Sequence, residues 1–220
     1  MRTPGRSGSA VPDLSGIPPG RAGRHWLRRR LATAERGREQ LDRKLRILFP
    51  EQQRLRIRAA RVGAEWEAAC TEADEWLVRA CLLGGQDAIR GASRPEPVGV
   101  DVHWTTTMGL SYPSDARVSP AGGESTALPP GNAALAPAAA AFGAALAAGV
   151  RAAAAQEAVR RVEAEIAVTR RRLRALDKRW LPALHRELVR LEMALEQSEQ
   201  EDGLRLRRAA TALDQGRSLS

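Results

Sequence analysis

Seventeen side chains between Leu27 and Leu83 recur at alternating steps of four and three residues, without a skip. They are Leu27, Leu31, Ala34, Arg38, Leu41, Leu45, Leu48, Gln52, Leu55, Ala59, Val62, Trp66, Ala69, Ala73, Trp76, Ala80 and Leu83. Arg38 and Gln52 are the two interruptions of the apolar run. A seam held over eight heptads predicts a helix wound against a partner helix. Gly84-Gly85 follows the seam and predicts its end, as glycine commonly does beyond a helix C-terminus.

A second seam runs through Val159, Val162, Ile166, Thr169, Leu173, Leu176 and Trp180, then Leu184, Leu188, Leu191 and Leu195. It resumes weakly at Leu206, Ala209 and Leu213. The steps from Leu176 to Trp180, Leu184 and Leu188 are successive fours, a stutter that unwinds a supercoil locally. The two helical stretches, 20–83 and 152–213, have nearly equal lengths, each roughly 95 Å at a rise of about 1.5 Å per residue. Equal lengths joined by an insert predict one antiparallel pair, with opposed residue numbers summing to about 233. Pro50 and Pro182 then fall at one level, where each bends its helix.

The expected fold class is mainly α. It is a long two-stranded antiparallel coiled coil of N- and C-terminal helices, with a small β-hairpin-containing insert at the distal end. The expected divisions are a disordered tail over 1–18, a first long helix over 19–85 and an insert with short strands over 86–131. An Ala-rich connector, weakly helical, spans 132–150, a second long helix 151–213, and a disordered tail 214–220. Within the insert, VGVDVHW (98–104) and TTTMGLSY (105–112) read as two short strands bounded by proline-rich loops. Residues 1–18 are rich in Gly, Ser and Pro and predict no signal peptide. The alanine tract 133–150 contains Pro137, Gly143 and Gly149 and reads as a weak helix, not as a membrane span.

Charge separates along the chain. Residues 20–61 hold 14 Lys/Arg against 4 Asp/Glu, residues 62–150 hold 4 against 10, and residues 151–220 hold 15 against 11. An antiparallel pair would therefore have a basic terminal half and an acidic far end, suited to different partners. Catalytic signatures are missing: no phosphate-binding GxxxxGK[ST] loop, no GxGxxG, and no metal-ligand spacing among His25, His103 and His185. His25 and His185 read as ordinary interface residues. Cys70 and Cys81 are too few and too far apart for a disulfide framework and read as buried thiols in a reducing, cytoplasmic setting. No catalytic activity and no cofactor are expected. The clusters Arg28-Arg29-Arg30 and Arg170-Arg171-Arg172 leave three uses open: a salt-bridged or solvated face, a protein partner, or nucleic acid.

The chain resembles the D subunit of the V-type (archaeal/vacuolar-type) ATPase and ATP synthase, the central rotor shaft. The N-terminal residues that carry the resemblance are Pro19, Arg21, Leu27, Leu31, Ala34, Gly37, Leu41 and Lys44. In the second helix they are Thr169, Arg171, Arg172, Ala175, Leu176 and Pro182, and in the insert Met108, Gly109 and Pro113. Arg174 stands where the family has asparagine, and Gly20 where it has threonine. The resemblance covers about 19–113 and 155–210.

This resemblance implies a non-catalytic central-stalk subunit that couples ion flow through a membrane ring to ATP synthesis or hydrolysis. It implies an A/B catalytic hexamer as partner at the basic end, through Pro19, Arg21, Arg24, Arg28, Arg205, Leu206 and Arg208. At the other end it implies the F subunit and a d/C-type socket protein on the membrane ring. It implies no direct nucleic-acid contact and no membrane span of its own. Leu27, Leu31, Leu41, Leu45, Leu48, Leu55, Trp66 and Trp76 would face Ile166, Leu173, Leu176 and Trp180 across the seam. A free-standing basic coiled coil that binds nucleic acid or tethers a complex is the rival reading.

Overall fold

Residues 16–92, 98–119 and 132–217 are described by a computed structural model, with side chains described to residue 211. Helix α1 (Gly20–Ala92) leads to strands β1 (Gly99–Thr107) and β2 (Leu110–Ser119). Helix α2 (Leu135–Ala175), a π turn (Leu176–Trp180) and helix α3 (Leu181–Arg217) follow. Two units result: a hairpin-bearing unit, residues 44–168, and a terminal unit, residues 16–43 with 169–217. Of the tail predicted over 1–18, residues 1–15 lie outside the described residues. So do the loop segments 93–97 and 120–131 and the last residues, 218–220.

In the hairpin-bearing unit, α1 and α2 pack antiparallel along an alanine-rich seam. Ala80 meets Ala134, Leu135 and Ala138; Ala73 meets Ala141 and Ala145; Val62 meets Ala152 and Ala155. The predicted α1 seam is the buried one here, with Leu45, Leu48, Leu55, Val62, Ala73 and Ala80 all buried. Small side chains let two helices approach closely, so many weak dispersion contacts replace a few large ones. Ile166 and Val162 extend the buried seam of α2.

The alanine tract is therefore not a connector. It is the opening part of α2, which begins at Leu135, so the weak helix expected over 132–150 and the long helix expected from 151 are one element. That earlier start corrects the register. Lys44 reaches Glu165, Arg56 reaches Glu163 and Ala80 meets Leu135, pairs whose numbers sum to 209, 219 and 215 instead of 233. Pro50 is accordingly at the level of Glu163 within its unit, whereas Pro182 belongs to the terminal unit. The helix from Leu135 is long and apolar enough, by length and composition, to cross a membrane. Its seam nevertheless packs on a stretch of α1 that carries Glu65, Glu67, Glu72, Asp74 and Glu75, a costly set to place in hydrocarbon.

Two further expectations change at this end. The helix does not stop at Gly84-Gly85. It kinks at Gly85, whose φ of 67° and ψ of −179° suit glycine, and continues to Ala92. Ala88, Ile89 and Ala92 then pack against the Ala80 cluster. Trp66 does not sit inside the seam either. An indole is too wide for an alanine-width interface, and Trp66 lies at the side, 41% exposed, over Gly149. A Cβ at Gly149 would stand 3.0 Å from the indole Nε1.

The terminal unit is packed less tightly. Gly23, Leu27, Thr169, Ala183 and Leu184 are buried, while Leu31, Leu41, Leu173, Leu176 and Trp180 are half-buried. The stutter in the second seam is realised as the π turn, closed by Leu181 N–H donating to Leu176 O. A π turn takes about one residue more than an α turn, which absorbs the phase drift of successive four-residue steps. Pro182 follows directly. It has no N–H for the carbonyl four residues back, and its ring would strike that carbonyl in an α turn. Helix α3 continues to Arg217, past the expected boundary at 213.

The β-hairpin turns later in the sequence than expected. β1 runs through the threonines to Thr107, and the turn is Met108-Gly109, both with positive φ (50° and 77°). The strands pair from Gly99↔Ser119 to His103↔Asp115, then skip Ser114 so that Trp104 faces Pro113. A bulge at this point spares Pro113 from having to donate to the ladder. Tyr112, Pro113 and Ala116 are the buried residues of the hairpin. They need a helix surface to cover them, and the hairpin lies against the helix pair near Glu51, Arg58 and Arg161. The expected placement at the distal end is thus corrected.

Candidate functional site: the braced helix pair and its open faces

Each interruption of the first seam serves a cross-helix contact. Arg38 Nε donates to Asp177 Oδ1 at 2.7 Å in the terminal unit. Gln52 Nε2 donates to Glu163 Oε1 at 3.2 Å in the hairpin-bearing unit. Arg56 and Gln52 together hold the Glu163 carboxyl below the usual carboxylate range, Arg56 contributing most. Lys44 to Glu165 at 2.6 Å completes the set in that unit. These contacts fix register and twist at positions where an apolar side chain would leave both free.

The predicted head-end residues divide under the structure. Arg21 is paired with Glu199 at 2.8 Å and Arg28 with Glu192 at 2.6 Å, so both brace α1 to α3. Arg205 pairs within its own helix with Glu201 and Asp202. Pro19, Arg208 and Leu206 are exposed, Leu206 at 72%. Arg24 is half-buried. Thr169 is buried at 1% exposure, inside the helix contact, while Arg171 and Arg172 next to it face solvent. Pro182 adjoins the π turn, and Met108, Gly109 and Pro113 are gathered in the hairpin.

The hairpin is latched by named polar contacts. Tyr112 donates its hydroxyl to Glu51 Oε1 at 2.6 Å, and Thr107 Oγ1 lies 3.0 Å from the same hydroxyl. Arg54 grips Glu51 with two nitrogens, at 2.9 and 2.6 Å. That grip holds the Glu51 carboxyl below its ordinary range, helped by the Tyr112 hydroxyl and opposed by burial. Burial pushes the Tyr112 phenol up, and its bond to Glu51 adds to the rise. Arg58 donates to the Ser114 carbonyl and lies 3.3 Å from Asp115. Arg161 donates to the Ser111 carbonyl at 3.4 Å and stacks over Trp104 at 4.8 Å. Beyond these contacts Val100, Val102, Trp104 and Met108 remain largely exposed. Sequence reading missed Tyr112, Glu51, Arg58 and Arg161. A buried tyrosine on a short strand was the available signal, since its hydroxyl needs a partner.

In the terminal unit an open cavity of about 730 Å³ lies beside the π turn, lined in part by Trp26, Leu176, Trp180 and Leu184. His25, expected at an interface, is exposed and lines this cavity; His185 is exposed. Cys70 and Cys81 are free and half-buried instead of fully buried. Among the described residues no group of three or more His, Cys, Asp or Glu could hold a metal ion.

Within each unit the helices are braced by ion pairs, the hairpin is latched onto its helix pair, and apolar and cationic side chains stay exposed. The family model for the D subunit of ATP synthase matches residues 25–211, a span that takes in both strands, α2 and the π turn. The chain belongs to the ATP synthase D-subunit family. It is thereby a component of a rotary ATPase or ATP synthase, a multisubunit, membrane-associated complex. No curated protein matches the chain.

Proposed function

We propose that this chain is the non-catalytic central rotor of a V-type proton-transporting ATPase or ATP synthase, working on the cytoplasmic face of the membrane. The observation that carries the reading is the family match across α1, the hairpin and α2 through α3. In this role the terminal unit turns inside the A/B hexamer, and the hairpin-bearing unit meets the F subunit and the d/C-type socket. The rotor carries no nucleotide site. It favours different conformations of the surrounding proteins as it turns, shifting their populations. Torque must pass between two helices, and the cross-helix pairs of Arg21, Arg28, Arg38, Lys44 and Arg56 support that by resisting slip.

The head-facing surface is redrawn by these pairs. Arg21 and Arg28 are engaged internally, so Pro19, Arg24, Arg171, Arg172, Leu206 and Arg208 are the better candidates for contact with the hexamer. Capture of the tagged chain from detergent-solubilised native membranes tests the role. Recovery of the A/B head proteins together with a small F-type partner is expected. Recovery of nucleic acid and ribosomal proteins without those partners would overturn it.

A further inference from the structure

The cavity beside the π turn has an apolar floor and a rim of one charge sign. Leu176, Trp180 and Leu184 close one side and Trp26 the other. The ionisable side chains that line it are His25, Arg29 and Arg30, and no carboxylate does. Arg30 stacks over Trp26 at 5.3 Å, and Arg29 carries no ion pair among the described residues. Lys178 and Arg179, on the π turn itself, are exposed and likewise carry no ion pair among the described residues. The contrast within the unit is sharp, because Arg21, Arg28 and Arg38 each meet a carboxylate on the facing helix. Cations are kept open around this apolar hollow and along the adjoining outer face. A π turn also interrupts the regular helix surface there, which makes room for a side chain from outside.

We infer that this cavity receives an apolar side chain presented by an acidic segment of a protein partner. The floor takes a leucine or phenylalanine, and the rim pairs with carboxylates on either side of it. Residues 1–15 of the same chain, joined to the cavity wall through Pro18, hold Arg2 and Arg6 against Asp13, so their charge is of the wrong sign. A second copy of the chain, at a net charge of +9, is disfavoured for the same reason. The inference rests on the proposed role in one respect: this end of the chain meets a protein surface.

The test uses the full chain labelled with 5-fluorotryptophan and followed by fluorine NMR. The probe is a synthetic peptide with one phenylalanine between pairs of aspartates. The expected result is movement of the Trp26 and Trp180 resonances, with Trp66, Trp76 and Trp104 unmoved. Exchange of the phenylalanine for glycine should weaken binding at least tenfold, and so should the double variant Arg29→Glu, Arg30→Glu. Ala34→Phe, which fills the cavity, should abolish binding while circular dichroism shows the helices intact. Equal binding of the glycine peptide, or of an oligothymidine of matched charge, would overturn the inference. So would binding that occurs only after residues 1–15 are removed, which would assign the cavity to the chain's own N-terminal segment. A chain that enters the A/B head yet ignores the peptide sinks this inference and leaves the rotor role standing.

Discussion

The hydroxyl of Tyr112 donates to Glu51 Oε1 at 2.6 Å, joining the second strand of the hairpin to the first helix across 61 positions of sequence. Tyr112 is 2% exposed, so this bond is the anchor of a hairpin whose remaining contacts are mostly at the surface. Replacing Tyr112 by Phe keeps the ring and removes the bond. Glu51 retains Arg54, so the half-buried carboxylate is not orphaned. A loss of about 1 kcal/mol in hairpin docking is expected, near the usual worth of one hydrogen bond. Amide exchange should quicken in 99–119 and remain unchanged in the terminal unit; protection equal to that of the native chain would contradict the anchor.

The same latch responds to pH in a fixed direction. The Glu51 carboxyl is held below its ordinary value of 4.5, so its contribution is present above that value and is lost as pH falls through the folded value. The Tyr112 phenol is raised above 10.0, so its contribution is complete below pH 10 and is lost as pH rises through the folded value. Fluorescence of the single tryptophan left at Trp104, after the other four are changed to phenylalanine, should show release at both extremes. In Tyr112→Phe the alkaline transition should vanish. Its persistence would mean that another group titrates.

Gly149 gives Trp66 its place. Gly149→Ala gains helix propensity of about 1 kcal/mol, and the half-exposed indole can shift by the few tenths of an ångström that a Cβ needs. This variant should match or exceed native stability. Gly149→Leu has no such room. It should evict the indole, shift its emission to the red and lower stability. An unmoved emission maximum in the leucine variant would rule out the packing described.

Pro182 and the π turn should be coupled. Deleting Lys178 removes the extra residue and drives the proline into an α turn, at a cost of about 3 kcal/mol. Adding Pro182→Ala to the deletion should recover most of that loss, whereas Pro182→Ala alone should change little. The double-mutant cycle therefore predicts strong non-additivity by thermal unfolding. Additive effects would separate the proline from the turn.

Sequence alone located the buried line of the first seam, Leu27, Leu45, Leu48, Leu55, Val62, Ala73 and Ala80, because apolar side chains at heptad spacing favour one helix face, but it wrongly included Trp66 and Leu83, which are exposed. It read the opening of α2 as a weakly helical connector and missed that this stretch packs on the first helix, since alanine scores as barely apolar although its small side chain lets a facing alanine approach closely. Register followed from that error. The stutter marked the π turn, but successive fours do not distinguish an unwound coil from an added residue. The hairpin was visible as alternating β-branched residues. Its turn was misplaced because Met108 adopts a positive φ that side chains other than glycine seldom take. Arg38 and Gln52 looked like defects, since their partners Asp177 and Glu163 lie more than a hundred residues away. Nothing local announces such a pairing.

Rotation of the chain within its complex is the central claim. A probe fixed to an engineered cysteine in the hairpin, with Cys70 and Cys81 replaced by serine, reports the chain's angle relative to an immobilised A/B head. Unidirectional turning that starts with ATP and stops with an inhibitor of hydrolysis is the predicted result. A probe that stays fixed while the head hydrolyses ATP would contradict it.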